Sequence, residues 1–237
     1  MRLGLVIVAA GVGERLGQGR HKALVPVGGR PMLLRCAEIF SSIPAVEERV
    51  LVVHADDLDA LEDGELGREL RRYGAWRVVP GGARRQDSVL AGLRALGEAI
   101  EGALVHDAAR PFVSRATIEA LGRALEDAVG AVPVVPVAST VKRIGDGGRV
   151  VETLPRASLR LAQTPQAGRR RELIAALEAA AELGLEVTDD VAALEHLGHQ
   201  VIAIPDSPWN FKVTTPQDLV LAELVAREGL WLEEGGR

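Results

Sequence analysis

The residues best suited to chemistry lie near the start of the chain, in a glycine-rich loop with cations behind it. Residues 9–13 read Ala-Ala-Gly-Val-Gly directly after an apolar run, and Arg15 and Lys22 follow. Small residues let the backbone turn tightly and approach a ligand closely. Backbone N–H groups and positive charges at such a loop converge on an anion. The pattern therefore predicts a phosphate-binding loop.

Two common phosphate-binding motifs do not fit this loop. The dinucleotide motif GxGxxG requires glycine where Leu16 stands, and an acidic residue at the end of a second strand about 20 residues on, which is also missing. The P-loop string GxxxxGK(S/T) occurs nowhere in the chain. The remaining pattern, AAGxGxRL followed by a lysine, resembles the signature loop of nucleotidyltransferases. The alternative is an ordinary glycine turn with two solvated cations.

A second glycine turn, Gly81-Gly82, follows a short strand and leads into a helix predicted over residues 89–100. The free N–H groups of a helix N-terminus bind anions or polar base edges. Arg85 and Ser88 are spaced to reach the same small region. The alternative is a helix capped by Ser88 or Asp87, which leaves the paired glycines unexplained.

An acidic residue is predicted at the carboxyl end of a buried strand. The apolar residues 103–105 lead directly into His106-Asp107-Ala108-Ala109-Arg110-Pro111. The carboxyl edge of a parallel sheet is the expected place for a Mg²⁺ ligand, so Asp107 is the candidate. The alternative is a structural ion pair between Asp107 and Arg110.

Lysine is scarce in this chain. It occurs at positions 22, 142 and 212, and arginine supplies the other 25 of the 28 basic residues. A compact ammonium and a planar guanidinium serve different purposes, so Lys22 and Lys212 are candidates for positions that require an ammonium. The alternative is that three lysines remain by chance.

Short apolar runs alternate with helical segments, which predicts an α/β fold with a mostly parallel sheet. Strands are predicted at residues 3–8, 50–53, 76–79, 103–105, 131–137 and 199–204, and helices at 31–40, 56–73, 89–100, 172–183, 191–197 and from 216. Pro133 and Pro136 place the strand at 131–137 at a sheet edge or make it irregular. Thr215 and Pro216 mark the start of the last helix.

The α/β alternation stops between residues 138 and 163. Two β-rich segments, 140–144 and 150–154, flank the turn at Gly147-Gly148, which predicts a hairpin. Arms that leave a sheet commonly contact partners or cover sites. We therefore expect residues 1–237 to form a single domain from which residues 139–163 protrude.

Composition excludes several classes of protein. A net charge of −5 gives no global attraction for nucleic acid, and no apolar run reaches the roughly 18 residues that a membrane span needs. The chain enters a strand at once, which leaves no room for a targeting peptide. Its single cysteine, Cys36, excludes an internal disulfide and is compatible with a reducing compartment. We expect a cytoplasmic protein with no nucleic-acid or membrane partner.

Taken together, seven strings resemble those of the 2-C-methyl-D-erythritol 4-phosphate cytidylyltransferases, CTP-using enzymes of the non-mevalonate isoprenoid pathway. Besides the first loop they are GGxxRxxSV at 81–89, HDAARP at 106–111, TVKR at 140–143, QTPQ at 163–166, TDD at 188–190 and NxKVT at 210–214. The resemblance runs from Leu3 to about Ala222. It implies a Rossmann-like three-layer nucleotidyltransferase fold with a mostly parallel sheet and a protruding β-arm.

The resemblance also implies roles for individual residues. Catalytic roles are implied for Arg15, Lys22 and Lys212, and Mg²⁺ binding for Asp107. CTP binding is implied for Ala9, Ala10, Gly11, Gly13, Gly82, Ala83, Arg85, Ser88 and Ala108. Binding of the acceptor substrate is implied for Arg110, Thr140, Arg156, Thr164, Thr188 and Thr214. Thr140 and Arg156 would contact the phosphate of the substrate bound to a second subunit, in a homodimer formed through residues 139–163.

The implied reaction is transfer of CMP from CTP to 2-C-methyl-D-erythritol 4-phosphate, with Mg²⁺ as cofactor and release of pyrophosphate. Three alternatives remain: an enzyme for another polyol phosphate such as ribitol 5-phosphate, a sugar-phosphate or molybdopterin nucleotidyltransferase, and a catalytically silent nucleotide-binding regulator. The chain departs from the family at Ala23, where glutamine is usual, and at Ser139, where aspartate is usual. Neither position carries the charge chemistry, so we expect activity to be intact.

Overall fold

The apolar run at residues 3–8 forms a strand in the middle of the main sheet in this computed structural model, which describes residues 1–11, 22–62 and 64–232. The described strands are β1 (Leu3–Val8), β2 (Pro26–Val27), β3 (Arg30–Pro31), β4 (Val46–Val53), β5 (Arg77–Pro80), β6 (Gly102–Asp107), β7 (Gly130–Pro136), β8 (Val141–Ile144), β9 (Val150–Leu154), β10 (Arg160–Ala162), β11 (Gln166–Arg169) and β12 (Val201–Pro205). The described helices are α1 (Met32–Ser41), α2 (Leu58–Glu62), α3 (Glu65–Leu70), α4 (Arg85–Ala95), α5 (Arg115–Asp127), α6 (Arg170–Glu182), α7 (Asp190–His196) and α8 (Pro216–Glu228).

Eight of these strands form the main sheet. Seven follow the order β10–β7–β11–β6–β1–β4–β5, and β12 pairs with β7. The pairs β1–β4, β1–β6, β4–β5 and β7–β12 are parallel, whereas β10 and β11 run antiparallel to their neighbours. The predicted α/β fold is therefore confirmed. Because β1, β4, β5 and β6 are parallel, their carboxyl ends meet at one edge of the sheet.

Alternate side chains of β1 enter two separate cores. Leu5 and Ile7 pack with residues of α1 and α5 on one face, and Val6 packs with residues of α4 and α6 on the other. All three side chains are completely buried. A strand covered by helices on both faces needs apolar residues at every position, which is why the run is continuous. The three-layer arrangement of the predicted fold is confirmed.

The strand with two prolines, β7, is not an edge strand, so the first of its two predicted alternatives was wrong. One side of β7 pairs with β12. Along its other side, β11 pairs with residues 130–131 and β10 pairs with residues 134–136. Each proline removes one N–H donor but keeps its carbonyl. The carbonyl of Pro133 accepts a hydrogen bond from the backbone N–H of Gln163 at 2.8 Å. An interior strand therefore tolerates both prolines.

Two helices differ from their predicted bounds by more than two residues. Helix α4 begins at Arg85 rather than at residue 89, because the Asp87 carboxylate accepts the backbone N–H of Arg84 at 3.1 Å and closes the first turn. The helix predicted over residues 56–73 is divided into α2 and α3, and Gly64 precedes α3 as its N-cap. Within the described ranges, no helix is long and apolar enough to cross a membrane.

The predicted hairpin is present as β8 and β9, which pair with each other in a separate two-stranded sheet. The end of the predicted arm differs, because β10 pairs with β7 through Arg160–Pro136 and Ala162–Val134 and so belongs to the main sheet. We call residues 137–159 the arm. Three of its apolar side chains, Ile144, Val150 and Val151, are 55–65% exposed.

The C-terminal helix α8 covers the segment that follows the first loop. Val25 and Val27 form a small core with Val213, Ala222 and Val225. The predicted start of this helix is confirmed: Thr215 accepts the N–H of Asp218 at 3.2 Å, and Pro216 is the first helical residue. This packing brings residues 22–27 close to residues 212–218, although the two segments are far apart in sequence.

Candidate active site

The two glycine loops meet at the carboxyl edge of the sheet. The N–H of Ala9 donates to the carbonyl of Val52 at 2.7 Å, and that of Gly81 to Val53 at 2.8 Å. A Cβ atom on Gly81 would lie 2.6 Å from the Cβ of Ala10, so the approach of the loops requires glycine there. The turn after β6 joins the same edge, because Ala108 donates to the carbonyl of Val8 at 3.1 Å.

The second glycine loop is supported from within by Ser88. Its hydroxyl accepts the N–H of Gly82 at 3.0 Å and donates to the carbonyl of Arg84 at 3.2 Å. Ser88 is buried, whereas Gly82 and Ala83 are exposed. The backbone of Gly82 and Ala83 is therefore presented at the site, while the Ser88 side chain shapes the loop.

Asp107 lies at the centre of the charged groups of this edge. Lys212 Nζ is 2.6 Å from Asp107 Oδ2, and Arg85 Nε is 3.1 Å from Asp107 Oδ1. The Asp107 side chain is only 11% exposed, whereas that of Lys212 is 39% exposed. Burial alone would raise the pKa of the Asp107 carboxyl, but the charges of Arg85 and Lys212 hold it well below its usual range. Asp107 is therefore a carboxylate at neutral pH.

The Arg85 guanidinium contacts two carboxylates, and its contact with the nucleotide stays a prediction. Its guanidinium makes a bidentate pair with the buried Asp190, at 2.8 and 2.9 Å, in addition to its contact with Asp107. Burial alone would lower the pKa of Arg85, but Asp190 and Asp107 raise it. Arg85 thus bridges two carboxylates and orients Asp107, and only its backbone faces the glycine loop.

Asp190 belongs to this charged cluster, and sequence reasoning did not single it out as a site residue. It is the first residue of α7 and follows the N-cap Asp189, so its position suggested only a helix start. Gln166 fixes this helix start, because its side-chain carbonyl accepts the N–H groups of Asp190 at 2.8 Å and Val191 at 3.0 Å. The TDD string contained a signal for this role. One acidic residue, Asp189, is enough to cap the helix, so the second, Asp190, needed another explanation.

Arg110 does not form the structural ion pair with Asp107 that was the alternative prediction. Its Nη1 donates to the carbonyl of Asn210 at 2.7 Å, and its Nη2 is 3.5 Å from the carbonyl of Ala162. Burial lowers the pKa of Arg110, and the charges of Asp107 and Asp206 oppose that shift. Arg110 is a cation held by neutral carbonyls, so its positive charge is available to an anion.

Lys22 and Thr214 lie near the start of α8. The Asp218 carboxylate accepts the N–H of Thr214 at 2.8 Å, and Lys22 is close enough to contribute to lowering the pKa of Asp218. Burial has the largest single effect and raises that pKa, but the N–H groups of Thr214 and Thr215, the Thr215 hydroxyl and the charge of Lys22 together lower it. The Thr214 hydroxyl donates to the carbonyl of Lys212 at 3.1 Å. Lys22 and Lys212 therefore lie near the same short segment.

The remaining predicted residues lie in several places. Gly13 and Arg15 lie outside the described residues, while Ala10 and Gly11 lie in the loop that follows β1. Thr188 is exposed immediately before α7, and Thr164 is buried. Thr140 and Arg156 are exposed on the arm, where Arg156 donates to the carbonyl of Ala138. Their described contacts stay within the arm, so their chain does not bring them to Asp107.

The donor set at Asp107 fits a magnesium ion shared with a ligand. The described residues contain no group of three or more His, Cys, Asp or Glu side chains that could enclose a metal. Mg²⁺ is commonly held by one or two carboxylates, with phosphate oxygens and waters completing its shell. Asp107 supplies one hard oxygen ligand, and the partly exposed Lys212 can move from it. Without a ligand, the described residues offer no complete metal cage.

The arrangement is suited to binding and reacting polyanions. Arg85 and Lys212 pair with Asp107, and the charge of Arg110 also acts on this carboxylate, at the edge where two glycine loops expose their backbone. Preorganised charges of this kind stabilise the charge that develops during phosphoryl or nucleotidyl transfer.

Comparison with known sequences agrees with this chemistry. The sequence profile of the 2-C-methyl-D-erythritol 4-phosphate cytidylyltransferase family matches residues 3–228. A protein of that name from Frankia casuarinae is 44% identical over 228 residues, which cover 95% of this chain and 82% of the relative. A protein of the same name from Halalkalibacterium halodurans is 38% identical, over 96% of this chain and 98% of the relative.

Solved structures lead to the same family. The cytidylyltransferase structure from Thermus thermophilus superposes with a TM-score of 0.77 at 33% identity, and covers 96% of this chain and 100% of its own. The 4-diphosphocytidyl-2C-methyl-D-erythritol synthase from Anaerococcus prevotii gives a TM-score of 0.82 at 28% identity, over 95% and 98% of the two chains. The nucleotidyltransferase fold is thus confirmed, and the chain belongs to the 2-C-methyl-D-erythritol 4-phosphate cytidylyltransferase family.

Proposed function

We propose that this enzyme transfers CMP from CTP to the phosphate of 2-C-methyl-D-erythritol 4-phosphate and releases pyrophosphate. The observation that carries the proposal is the ionised Asp107, held between Arg85 and Lys212 where the two glycine loops meet. Membership of the cytidylyltransferase family supports the same reaction.

The reaction is an in-line attack of the acceptor phosphate on the α-phosphorus of CTP. A dianionic phosphate is already nucleophilic, so the step requires no general base. The obstacle is the mutual repulsion of two polyanions. Lys22 and Lys212 offset this charge by position, and their contribution is electrostatic rather than covalent.

The glycine loops form the proposed CTP site. The first loop, with Ala9, Ala10, Gly11, Gly13 and the cations Arg15 and Lys22, would hold the triphosphate. The second loop would contact cytosine through the backbone of Gly82 and Ala83, which are exposed there. Ser88 supports this loop, and Ala108 closes the site from the turn after β6. A small pocket with fixed backbone groups favours a pyrimidine over a purine.

The acceptor site would lie on the other side of Asp107. Arg110 and Lys212 supply positive charge, and Thr188 and Thr214 supply hydroxyl groups near it. Thr140 and Arg156 would come from the partner subunit, because their own chain keeps them on the arm.

A magnesium ion would be held by Asp107 together with the phosphates of CTP. When bound, it supplies positive charge to the α-phosphate and to the leaving pyrophosphate. Lys212 would then move from Asp107 toward the reacting phosphates, which its partial exposure permits.

A homodimer formed through the arm completes the proposal. The arm exposes Ile144, Val150 and Val151, and an isolated hairpin with exposed apolar side chains is poorly stable in water. Contact with a second subunit would cover these side chains. It would also carry Thr140 and Arg156 to the partner's acceptor site.

Nucleotide preference tests the function. With 2-C-methyl-D-erythritol 4-phosphate as acceptor, we expect pyrophosphate release with CTP and kcat/KM at least about tenfold lower with UTP, because the exocyclic donor of cytosine becomes an acceptor in uracil. ATP and GTP should be poorer still. Ribitol 5-phosphate in place of the acceptor is the control for the polyol. Equal kcat/KM for CTP and UTP, or a preference for ribitol 5-phosphate, would contradict the proposal.

Replacement of Asp107 by asparagine tests the metal site. We expect Asp107→Asn to lower kcat and to raise the Mg²⁺ concentration that gives half-maximal activity, because one hard anionic ligand is lost. Asp87→Asn is the matched control, since Asp87 caps α4 and pairs with Arg84 at the other glycine loop. Titrations with Mg²⁺ after treatment with EDTA provide the measurement. Identical Mg²⁺ curves for both variants would exclude Asp107 as the ligand.

A further inference from the structure

His106 is a buried ionisable residue for which the transfer reaction has no use. It precedes Asp107 at the end of β6 and is completely buried. Its ring packs edge-on against Phe40, with ring centroids 5.1 Å apart and an interplanar angle of 62°. A buried polar ring requires hydrogen-bond partners, and both ring nitrogens of His106 have one.

The partner of Nε2 determines where the ring carries its proton. His106 Nε2 lies 3.0 Å from the backbone carbonyl of Arg110, which can only accept a hydrogen bond. Nε2 therefore carries a hydrogen. Both hydrogen-bond partners of this completely buried ring are neutral groups, and burial without a charged partner favours the neutral ring. In the neutral ring Nδ1 then has a free lone pair and acts as an acceptor.

The hydroxyl of Thr164 connects this ring to Asp107. Thr164 Oγ1 accepts the backbone N–H of Asp107 at 3.0 Å and lies 3.2 Å from His106 Nδ1. Because Nδ1 accepts, the single hydroxyl proton of Thr164 points at the ring. Thr164 is buried and has no second proton to donate to a substrate. Substrate binding by Thr164 stays a prediction, and in this arrangement its hydroxyl proton is used by the ring.

We propose that His106, acting with Thr164, is a positioning residue that fixes the turn between Asp107 and Arg110. His106 Nε2 donates to the Arg110 carbonyl. His106 Nδ1 contacts the Thr164 hydroxyl, which in turn accepts the backbone N–H of Asp107. The backbone N–H of Arg110 also donates to the carbonyl of Asp107 at 3.0 Å, so the turn is closed on both sides. The turn thereby sets the separation between the Asp107 carboxylate and the Arg110 guanidinium. This inference rests on the proposed cytidylyl transfer, since it assigns that site's geometry.

The tautomer of His106 gives a test that needs no substrate. Long-range ¹H–¹⁵N spectra of the protein with ¹⁵N-labelled histidine distinguish a protonated from an unprotonated ring nitrogen. We expect His106 to carry its proton on Nε2, with its signals assigned by their loss in His106→Gln. A proton on Nδ1 would overturn the proposal. This result is independent of whether the enzyme transfers CMP.

Single and double substitutions at His106 and Thr164 test the consequence for catalysis. His106→Leu and Thr164→Val remove the hydrogen bonds at similar volume, and we expect each to lower kcat about tenfold or more, because small displacements of reacting groups are costly. Their effects should be non-additive in the double variant, since both break one chain of contacts. His106→Gln and Thr164→Ser, which keep polar groups in place, should recover part of kcat. His196→Gln, at an exposed helix end, is the control.

The outcomes separate this inference from the proposed function. If the unaltered enzyme releases no pyrophosphate from CTP, the proposed function fails, while the tautomer still tests the hydrogen-bond directions. If it is active and Thr164→Val keeps the kcat of the unaltered enzyme, the positioning role is wrong. Independent, additive losses in the double variant would also overturn it. Melting temperatures and circular dichroism identify any variant that fails to fold, and Thr164→Val then carries the test alone.

Discussion

Replacement of Lys212 by alanine is expected to lower kcat for cytidylyl transfer by about 10²-fold or more, which is typical when a preorganised charge stabiliser is removed. Lys212 Nζ lies 2.6 Å from Asp107 at the sheet edge, and its partly exposed side chain can reach the reacting phosphates. The fold should tolerate the change, because Asp107 keeps its contact with Arg85. We therefore expect a large loss of rate with a small change in melting temperature.

Steady-state pyrophosphate release measures this effect, and two variants control it. Lys212→Arg keeps the charge but not the compact ammonium, so it should recover only part of kcat. Arg227→Ala removes an exposed cation near the far end of α8 and should keep kcat within about twofold, as is usual for surface pairs. A folded Lys212→Ala enzyme with kcat within a few-fold of the unaltered enzyme would show that Lys212 does not stabilise the transition state.

Mixing two inactive variants is expected to restore activity if the arm reaches the partner's site. Lys22 follows the first loop, whereas Arg156 lies on the arm, and Arg156 donates to Ala138 of its own chain. We expect Lys22→Ala and Arg156→Ala each to be nearly inactive. In a hybrid dimer one site then collects both substitutions and the other collects neither. Random exchange makes about half of the dimers hybrids, so roughly a quarter of the unaltered activity should return.

Native mass spectrometry provides the control for this experiment, because it counts the hybrid dimers directly. Mixing Lys22→Ala with Lys212→Ala should restore nothing beyond the residual activities if both lysines serve one chain's site. Hybrid dimers that form and remain inactive would exclude an exchanged arm. A monomeric protein at assay concentrations would exclude the homodimer itself.

The positions of the loops were predictable because the signals for them are local. Continuous apolar runs mark strands that are buried on both faces, and glycines mark where those strands end. Parallel strands end at the same edge, so placing Asp107 and the two glycine turns together required no knowledge of long-range contacts. The hairpin of the arm followed from its turn residues in the same way.

The errors arose where distant segments compete for the same groups. The edge position of β7 was inferred from its prolines, yet three strands pair with it because the prolines keep their carbonyl acceptors. The sequence also did not show that Asp190, 105 residues away, pairs with the guanidinium of Arg85. Neither contact leaves a periodic pattern in the sequence. The burial that makes them strong exists only in the folded chain.

The sequence by itself determined the α/β alternation, the positions of the two glycine loops, the carboxylate at the end of β6 and the resemblance to its family. These depend on residue types within a few positions of one another. Only the tertiary structure decided that Arg85 contacts Asp107, that Lys212 pairs with it, and that Thr164 lies against His106. The physical reason is that hydrogen-bond directions and ion-pair partners depend on which segments approach in space, and several pairings are equally compatible with the same local sequence.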